Sequence, residues 1–136
     1  MPSKTSDITL SVIIPAYNAA PWLPKSVPKV ADAIKRANIT SAEIIIVDDG
    51  SSDDTAKVGQ SLKLEYPVKV VSQKNTGRFA ARRTGVKQAK YEYTLFIDTR
   101  IYIGDDALKY VVDNLSKPKD RLVWTSHVII DKSSNI

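Results

Sequence analysis

The chain has 136 residues, of which 43% are hydrophobic and 26% are charged, and its formal net charge is +5. This length suits one globular domain with its own core, and the positive charge suits an anionic ligand or a membrane surface. There is no cysteine, which excludes disulfides and thiolate metal sites, and no apolar run approaches the roughly 20 residues of a membrane-spanning helix.

Strand and helix patterns alternate along the chain after a polar segment at residues 1–7, which is predicted to be a disordered tail without a signal region. In chain order we predict a strand at 10–15, a helix ending at 37, a strand at 43–47, a helix at 53–64, a strand at 68–71, a helix at 77–89, a strand at 93–98, a helix from 105 or 106 to 115, and a strand at 122–130. This alternation predicts an α/β domain over residues 8–130, with a mainly parallel sheet, helices on both faces and a frayed end at 131–136.

The start of the first helix is marked by prolines. The pattern allows a beginning near Pro21 or Lys25, but Pro24 and Pro28 follow. Because a proline inside a helix removes a hydrogen bond and clashes with the preceding turn, we expect the regular part to begin near Pro28. Trp22 is assigned to the helix start or to the core, with the border of a crevice as the alternative.

Three predicted strands end in polar or aromatic residues, at the edge of an open α/β sheet where ligands bind. Tyr17 is suited to stack on a base, Asp48 to accept hydrogen bonds from a base or from hydroxyls, and Asp98 to bind a divalent metal. Each acid has a structural alternative, as a helix cap or a solvated loop residue. The segments concerned are 15–18, 48–50 and 98–100.

A basic element lies at the start of the third predicted helix. Arg78 and Arg82 are one turn apart on the same face, and Arg83 follows directly. Asn75-Thr76-Gly77 precedes the helix, so we expect free backbone N–H groups and guanidinium groups to meet a phosphate there. The alternative is a charged face turned to solvent.

Four blocks of the sequence lie in order within about residues 8 to 112: Ser11–Ala19, Ile45–Thr55, Asn75–Gly85 and Phe96–Asp98. Together and in this order they resemble the blocks of family 2 glycosyltransferases. The third block has Arg83 where the family usually has asparagine. The resemblance implies a GT-A fold, a Rossmann-like α/β fold that binds a nucleotide-activated sugar.

The resemblance also implies roles for individual residues. Pro15 and Tyr17 would line the base pocket, Asp48 would recognise the base, typically uracil, and Asp98 would lie beside the diphosphate and a divalent metal, Mn²⁺ or Mg²⁺. Asp49 and Ser51 would shape the adjacent loop, and Arg82 would stand near the nucleotide. With the strand-end and helix residues added, the predicted substrate-binding set is Pro15, Tyr17, Asn18, Asp48, Asp49, Ser51, Arg78, Arg82, Asp98 and Arg100, with Asp98 as the metal ligand.

The implied reaction is the transfer of a sugar, with inversion, from a nucleotide-diphosphate donor (a UDP-sugar) to a hydroxyl of a sugar or a lipid-linked acceptor. A metal or a basic group stabilises the departing diphosphate, and a carboxylate deprotonates the acceptor. We expect no nucleic-acid partner and no integral membrane segment. The expected location is the cytoplasm, peripheral to a membrane in a full-length parent.

Two departures from the family pattern bear on this reaction. Asp98-Thr99-Arg100 lacks the second acid of the family's Asp-x-Asp segment, and a guanidinium group cannot ligate a cation. Metal binding then depends on Asp98 alone, or Arg100 replaces part of the cation's charge, or turnover is lost. The chain is also short: we expect the acceptor-binding half, with the catalytic base, to be absent, so that this is the donor-binding half of a longer enzyme or a reduced relative.

Two other functions fit part of the sequence. The first is a catalytically inactive module that keeps its affinity for nucleotide sugars. The second is a receiver-type signalling domain, which an acidic pair and a later strand-end aspartate superficially fit. Receivers place the pair after the first strand and the phosphorylated aspartate after the third, whereas here they follow the second and fourth predicted strands, which disfavours a receiver.

Overall fold

The computed structural model describes residues 8–114, which form four strands alternating with four helices. The first four predicted strand–helix pairs are confirmed. The predicted tail at 1–7, strand at 122–130 and frayed end at 131–136 lie outside the described residues. The elements are β1 (Thr9–Ala16), α1 (Leu23–Arg36), β2 (Ser41–Asp49), α2 (Thr55–Ser61), β3 (Val68–Gln73), α3 (Arg78–Gln88), β4 (Tyr93–Phe96) and α4 (Ala107–Asn114).

The four strands form one parallel sheet in the order β3-β2-β1-β4. Ala16 at the end of β1 pairs with Asp48, and Asp49 at the end of β2 pairs with Gln73. The strand ends are therefore level, and the segments that follow them lie along one edge. A receiver domain has the strand order 2-1-3-4-5, with its first strand between the second and third. Here β1 lies between β2 and β4, so the receiver hypothesis is wrong.

The apolar run of β2 is buried on both of its faces, as its β-branched sequence predicts. Ile44 and Ile46 belong to the larger core, which includes apolar residues of α1 and α4 and, at its margin, Val58 of α2. Ile45 and Val47 point the other way and pack with Ala81 of α3. The sheet is thus covered by helices on both faces.

Helix α3 lies very close to the sheet because it presents small residues to it. Ala81 is fully buried. A Cβ atom built on Gly85 would lie 2.3 Å from Cγ2 of Ile13 in β1, so no larger residue fits there without movement.

Helix α1 begins at Leu23, so the prediction of a regular helix only from Pro28 is wrong. Pro24 lies in the first turn, where its missing N–H has no intrahelical partner to lose. Pro28 removes one backbone hydrogen bond, and the burial of one side of the helix, including Val27 and Ile34, offsets that loss. Trp22 is the N-cap residue, which confirms its place at the helix start. Among residues 8–114, no helix combines the length and the apolar character needed to cross a bilayer.

Candidate functional site

A cleft of about 590 Å³ opens at the carboxyl edge of the sheet. Its walls come from the ends of β1 and β2, the start of α3 and the segment that follows β4. This is the edge at which open α/β sheets bind ligands. The lining residues are Pro15, Ala16, Tyr17, Asp49, Asn75, Gly77, Arg78, Ala81, Asp98, Thr99, Arg100 and Ile101.

Six of the ten predicted substrate-binding residues line this cleft, and four do not. Tyr17 is 53% exposed, so its ring is accessible to a stacking ligand. The lining residues are Pro15, Tyr17, Asp49, Arg78, Asp98 and Arg100, whereas Asn18, Asp48, Ser51 and Arg82 lie behind or beside the cleft wall.

Six residues of the cleft wall are absent from the predicted substrate-binding set: Ala16, Asn75, Gly77, Ala81, Thr99 and Ile101. Thr99 was quoted only as part of the strand-end segment, and Ile101 carries no polar group that would signal a site. Asn75 was considered only for its place before the helix. Its signal is the Asn-Thr-Gly turn directly before a basic helix, which is typical of a backbone that changes direction.

The carboxylate of Asp48 is buried and bonded within the protein. The backbone N–H of Ser51 donates to its Oδ1 atom (3.1 Å), and the hydroxyl of Ser72 donates to its Oδ2 atom (3.3 Å). Asp48 therefore fixes the turn after β2 and links it to β3. Its recognition of a base stays a prediction.

Asn18 and Ser51 connect the loop after β1 to the loop after β2. The Asn18 N–H donates to Oγ of Ser51 (2.9 Å), while the backbone N–H and the hydroxyl of Ser52 donate to Oδ1 of Asn18 (2.9 and 3.1 Å). Asn18 has a φ of +46°, a left-handed conformation that asparagine tolerates better than most residues. These bonds hold the neighbouring Tyr17 at the cleft.

Asp53 accepts hydrogen bonds at the start of α2. Its Oδ1 atom accepts the N–H of Thr55 (3.0 Å) and its Oδ2 atom accepts the N–H of Ala20 (3.2 Å). Burial raises the pKa of the Asp53 carboxyl, but the hydrogen bonds from Thr55 and Ala20 together outweigh it and lower the pKa. The N-cap residue itself, Asp54, makes no side-chain cap bond.

Asp49 holds the loop before α3. The side-chain amide of Gln73 (2.8 Å) and the N–H of Thr76 (2.9 Å) donate to its Oδ1 atom, and the N–H of Gly77 (2.9 Å) donates to Oδ2. Burial raises the pKa of the Asp49 carboxyl, but these three bonds outweigh it, and the pKa lies below its ordinary value. The expectation that the N–H groups before α3 are free for a phosphate is therefore wrong for Thr76 and Gly77.

The same loop lies against Gly50. Gly50 has a φ of +70°, and a Cβ atom built on it would lie 2.6 Å from the backbone nitrogen of Asn75. A glycine is needed here both for the backbone conformation and for the close approach. The segments 48–50 and 75–77 therefore form one hydrogen-bonded floor at this part of the cleft.

Arg82 and Asp98 form an ion pair beside the cleft. Nη2 of Arg82 lies 3.7 Å from Oδ1 of Asp98. The guanidinium group also lies over the rings of Phe79 and Phe96, 5.8 Å from each centroid. Its Nε atom is buried and has no partner among the described residues. The side chain is thus held between α3 and the end of β4.

Arg100 and Arg78 supply exposed positive charge to the cleft. The Arg100 guanidinium group lies 5.4 Å from the ring centroid of Trp22, which is a cation–π arrangement. Within residues 8–114, neither arginine forms an ion pair with a carboxylate. Both guanidinium groups therefore remain available to an anionic ligand.

The carboxylates of the cleft suit a metal ion poorly. No group of three or more His, Cys, Asp or Glu residues in the described part of the chain is arranged to hold one. Both carboxylate oxygens of Asp49 accept hydrogen bonds from N–H donors, and Asp98 already forms an ion pair with Arg82. Hard cations need several oxygen ligands, so these residues do not fit a protein-held divalent metal.

Comparison with known sequences gives consistent matches. A profile of glycosyl transferase family 2 matches residues 11–136. The chain is 33% identical over 127 residues to poly-β-1,6-N-acetyl-D-glucosamine synthase of Staphylococcus epidermidis, covering 92% of this chain and 30% of that protein. It is 31% identical over 129 residues to chondroitin synthase of Escherichia coli, covering 93% and 18%. The chain thus spans less than a third of these relatives.

Solved structures match as well. Residues 1–349 of Staphylococcus aureus TarS in complex with UDP-GlcNAc align with a TM-score of 0.70 at 28% identity, over 79% of this chain and 31% of that one. The mannosyltransferase PcManGT of Pyrobaculum calidifontis, in complex with GDP-Man and Mn²⁺, aligns with a TM-score of 0.68 at 21% identity, over 85% and 37%. The second likeness concerns the fold alone.

Proposed function

The chain belongs to glycosyl transferase family 2, and we propose that it forms the donor-binding part of such an enzyme, within residues 8–130. Its architecture is the GT-A fold that the sequence resemblance implied. Because the chain spans less than a third of its relatives, the acceptor-binding part and the complete transfer reaction belong to a longer protein in this proposal.

The cleft at the carboxyl edge is the observation that carries the proposal. It combines an exposed aromatic ring, Tyr17, with two exposed guanidinium groups, Arg78 and Arg100. An aromatic ring suits a base, and guanidinium groups suit the oxygens of a diphosphate. The resemblance to TarS, which was solved with UDP and with UDP-GlcNAc, favours uracil as the base and a UDP-sugar as the donor.

The contribution of these residues to the reaction follows from their positions. Tyr17 stacks on the base, and Asp48 and Asp49 hold the surrounding turns in place. As the bond from the anomeric carbon to the diphosphate breaks, negative charge grows on the leaving group. Arg100 and Arg78, already facing that region, stabilise this charge. The acceptor hydroxyl, on a sugar or a lipid-linked sugar, attacks from the opposite face, and a carboxylate of the longer protein takes its proton.

Titration with nucleotides tests the proposal. We expect UDP and UDP-GlcNAc to bind the 136-residue chain more tightly than ADP, with amide shifts concentrated at 15–18, 48–51 and 98–101. Asp48→Ala is expected to lose this preference for uracil, because Asp48 fixes the turn after β2 beside the cleft, while the circular dichroism spectrum of the fold is retained. Equal affinity for all nucleotides, or shifts away from these segments, would contradict the proposed function.

A catalytically inactive binding module is a second candidate, and Arg100 at the position of the family's second acid favours it. The two candidates differ in turnover only. In the longer protein, release of UDP from UDP-GlcNAc in the presence of an acceptor supports the enzyme, whereas tight binding without UDP release supports the module.

A further inference from the structure

The cleft contains more unpaired positive charge than unpaired negative charge. We propose that Arg100 and Arg78 neutralise the diphosphate of the bound nucleotide in place of a divalent cation, so that this chain binds its nucleotide without a metal. This inference rests on the proposed function and identifies the groups that neutralise the negative charge of the diphosphate.

The first argument concerns the two carboxylates that line the cleft. Both oxygens of Asp49 accept hydrogen bonds, from Gln73, Thr76 and Gly77. Coordination of a metal by Asp49 would break the hydrogen bonds that hold the loop before α3. Among the lining residues only Asp98 is left as a carboxylate ligand, and one carboxylate is a poor site for a hard cation.

The second argument concerns the surroundings of Asp98. Its Oδ1 atom lies 3.7 Å from Nη2 of Arg82, a side chain held between two aromatic rings. Arg100 follows two residues later on the same cleft wall. A divalent cation at Asp98 would compete with the guanidinium group of Arg82 for the carboxylate. It would also be repelled by the guanidinium group of Arg100, because like charges repel at short range.

The third argument concerns the support of Arg100. Its guanidinium group lies over the ring of Trp22, 5.4 Å from the centroid. Trp22 is itself fixed, because its backbone N–H donates to the carbonyl of Ala19 (2.9 Å) and its ring packs against the larger core. Stacking leaves the N–H edges of a guanidinium group free, and this planar fork matches two phosphate oxygens.

The test compares UDP and uridine, with EDTA and with Mn²⁺, on the 136-residue chain. We expect the Kd for UDP to be the same with EDTA and with Mn²⁺. Arg100→Ala and Arg78→Ala should each weaken UDP binding about tenfold or more, the effect of losing a charge-assisted hydrogen bond. Uridine, which has no phosphate, should bind these variants as it binds the parent chain.

Lys87→Ala is the matched control, since Lys87 is an exposed cation in the last turn of α3, away from the cleft. It should leave the UDP affinity unchanged. UDP binding that requires Mn²⁺, or an unchanged UDP affinity in Arg100→Ala, would overturn the inference and leave the proposed function standing. Failure of both UDP and uridine to bind under either condition would instead refute the proposed function.

Discussion

Arg82 and Asp98 come from different elements, α3 and the segment after β4, yet their side chains meet with Nη2 and Oδ1 3.7 Å apart. The carboxylate predicted as a metal ligand therefore already has a positively charged neighbour. Both side chains are partly exposed, so the ion pair is screened by water and contributes little to stability. Its main effect is on what else Asp98 is able to bind.

Removing Arg82 should make Asp98 a better cation ligand. We expect Arg82→Ala to bind Mn²⁺ a few-fold more tightly than the parent chain, since the competing guanidinium group is gone. Paramagnetic broadening of the amide signals near Asp98 measures this directly. Lys87→Ala is the control for loss of a positive charge, and equal broadening in the two variants would show that the ion pair does not limit metal binding.

Replacing Arg100 with aspartate restores the acid that the family pattern places two residues after Asp98. Arg100→Asp removes the cation stacked on Trp22 and adds an oxygen ligand, so UDP binding should become stronger in Mn²⁺ than in EDTA. Isothermal titration under the two conditions is the measurement. If Mn²⁺ changes the UDP affinity of the variant no more than that of the parent chain, residue 100 does not contribute to neutralising the diphosphate.

The Asp49 carboxylate should make stability depend on acid pH. Its folded-state pKa lies below the ordinary value of 3.8, so its contribution is present above that value and is lost as the pH falls through the folded pKa. Urea midpoints should therefore drop below about pH 4. Asp49→Asn should lower the free energy of unfolding at neutral pH by about 1–3 kcal/mol, and with it the urea midpoint. The midpoint of this variant should also fall less steeply as the pH is lowered. A parallel decline in both chains would assign the effect to other groups, of which Asp53 is the first to examine because its pKa is also lowered.

Gly50→Ala should destabilise the fold through both strain and collision. The left-handed backbone and the approach to the nitrogen of Asn75 together predict a loss of about 2–4 kcal/mol in the free energy of unfolding. Gly77→Ala is the comparison for strain without a collision, because Gly77 also has a positive φ, +101°, but open space around its Cβ position. Urea unfolding in which Gly50→Ala is as stable as the parent chain would contradict both the strain and the contact with Asn75.

Gly85→Ala sets helix propensity against packing. Alanine favours a helix over glycine by about 1 kcal/mol, but its Cβ would lie 2.3 Å from Cγ2 of Ile13. We expect the collision to win, with a net loss of about 1–3 kcal/mol. The double variant Ile13→Ala/Gly85→Ala removes the colliding methyl group, so its loss should be smaller than the sum of the two single losses. Strict additivity in urea unfolding would count against the contact.

Much of the fold was predictable because hydrophobic patterning reports it directly. The run Ile44–Val47 predicts a doubly buried strand, and the alternation of strands and helices predicts a parallel sheet with aligned carboxyl ends. The start of α1 was mispredicted because local rules weigh Pro28 by its lost hydrogen bond alone. The burial of α1 against the sheet, which compensates for that loss, depends on residues distant in the sequence.

The location of the site at the carboxyl edge of the sheet was predictable, but the hydrogen bonds and ion pairs within it were not. Strand-end positions predicted Tyr17, Asp48 and Asp98 as neighbours of one cleft, because parallel strands share that edge. Tyr17 and Asp98 line the cleft, but Asp49 lines it in place of Asp48. The sequence does not reveal that both oxygens of Asp49 accept hydrogen bonds from β3 and the loop before α3, or that Arg82 forms an ion pair with Asp98. Both facts arise from contacts between residues 16 to 28 positions apart in the sequence, which no local pattern encodes.

The close approach of Gly50 to Asn75, reinforced by the three bonds to Asp49, has a consequence for how ligands are accommodated. The base of the cleft is preformed and leaves few degrees of freedom to be frozen on binding. The long side chains at its rim, Arg78 and Arg100, carry most of the remaining rotamer entropy. Under the proposed function, different donors would therefore be distinguished mainly by how each one immobilises those two side chains, and only secondarily by any rearrangement of the main chain.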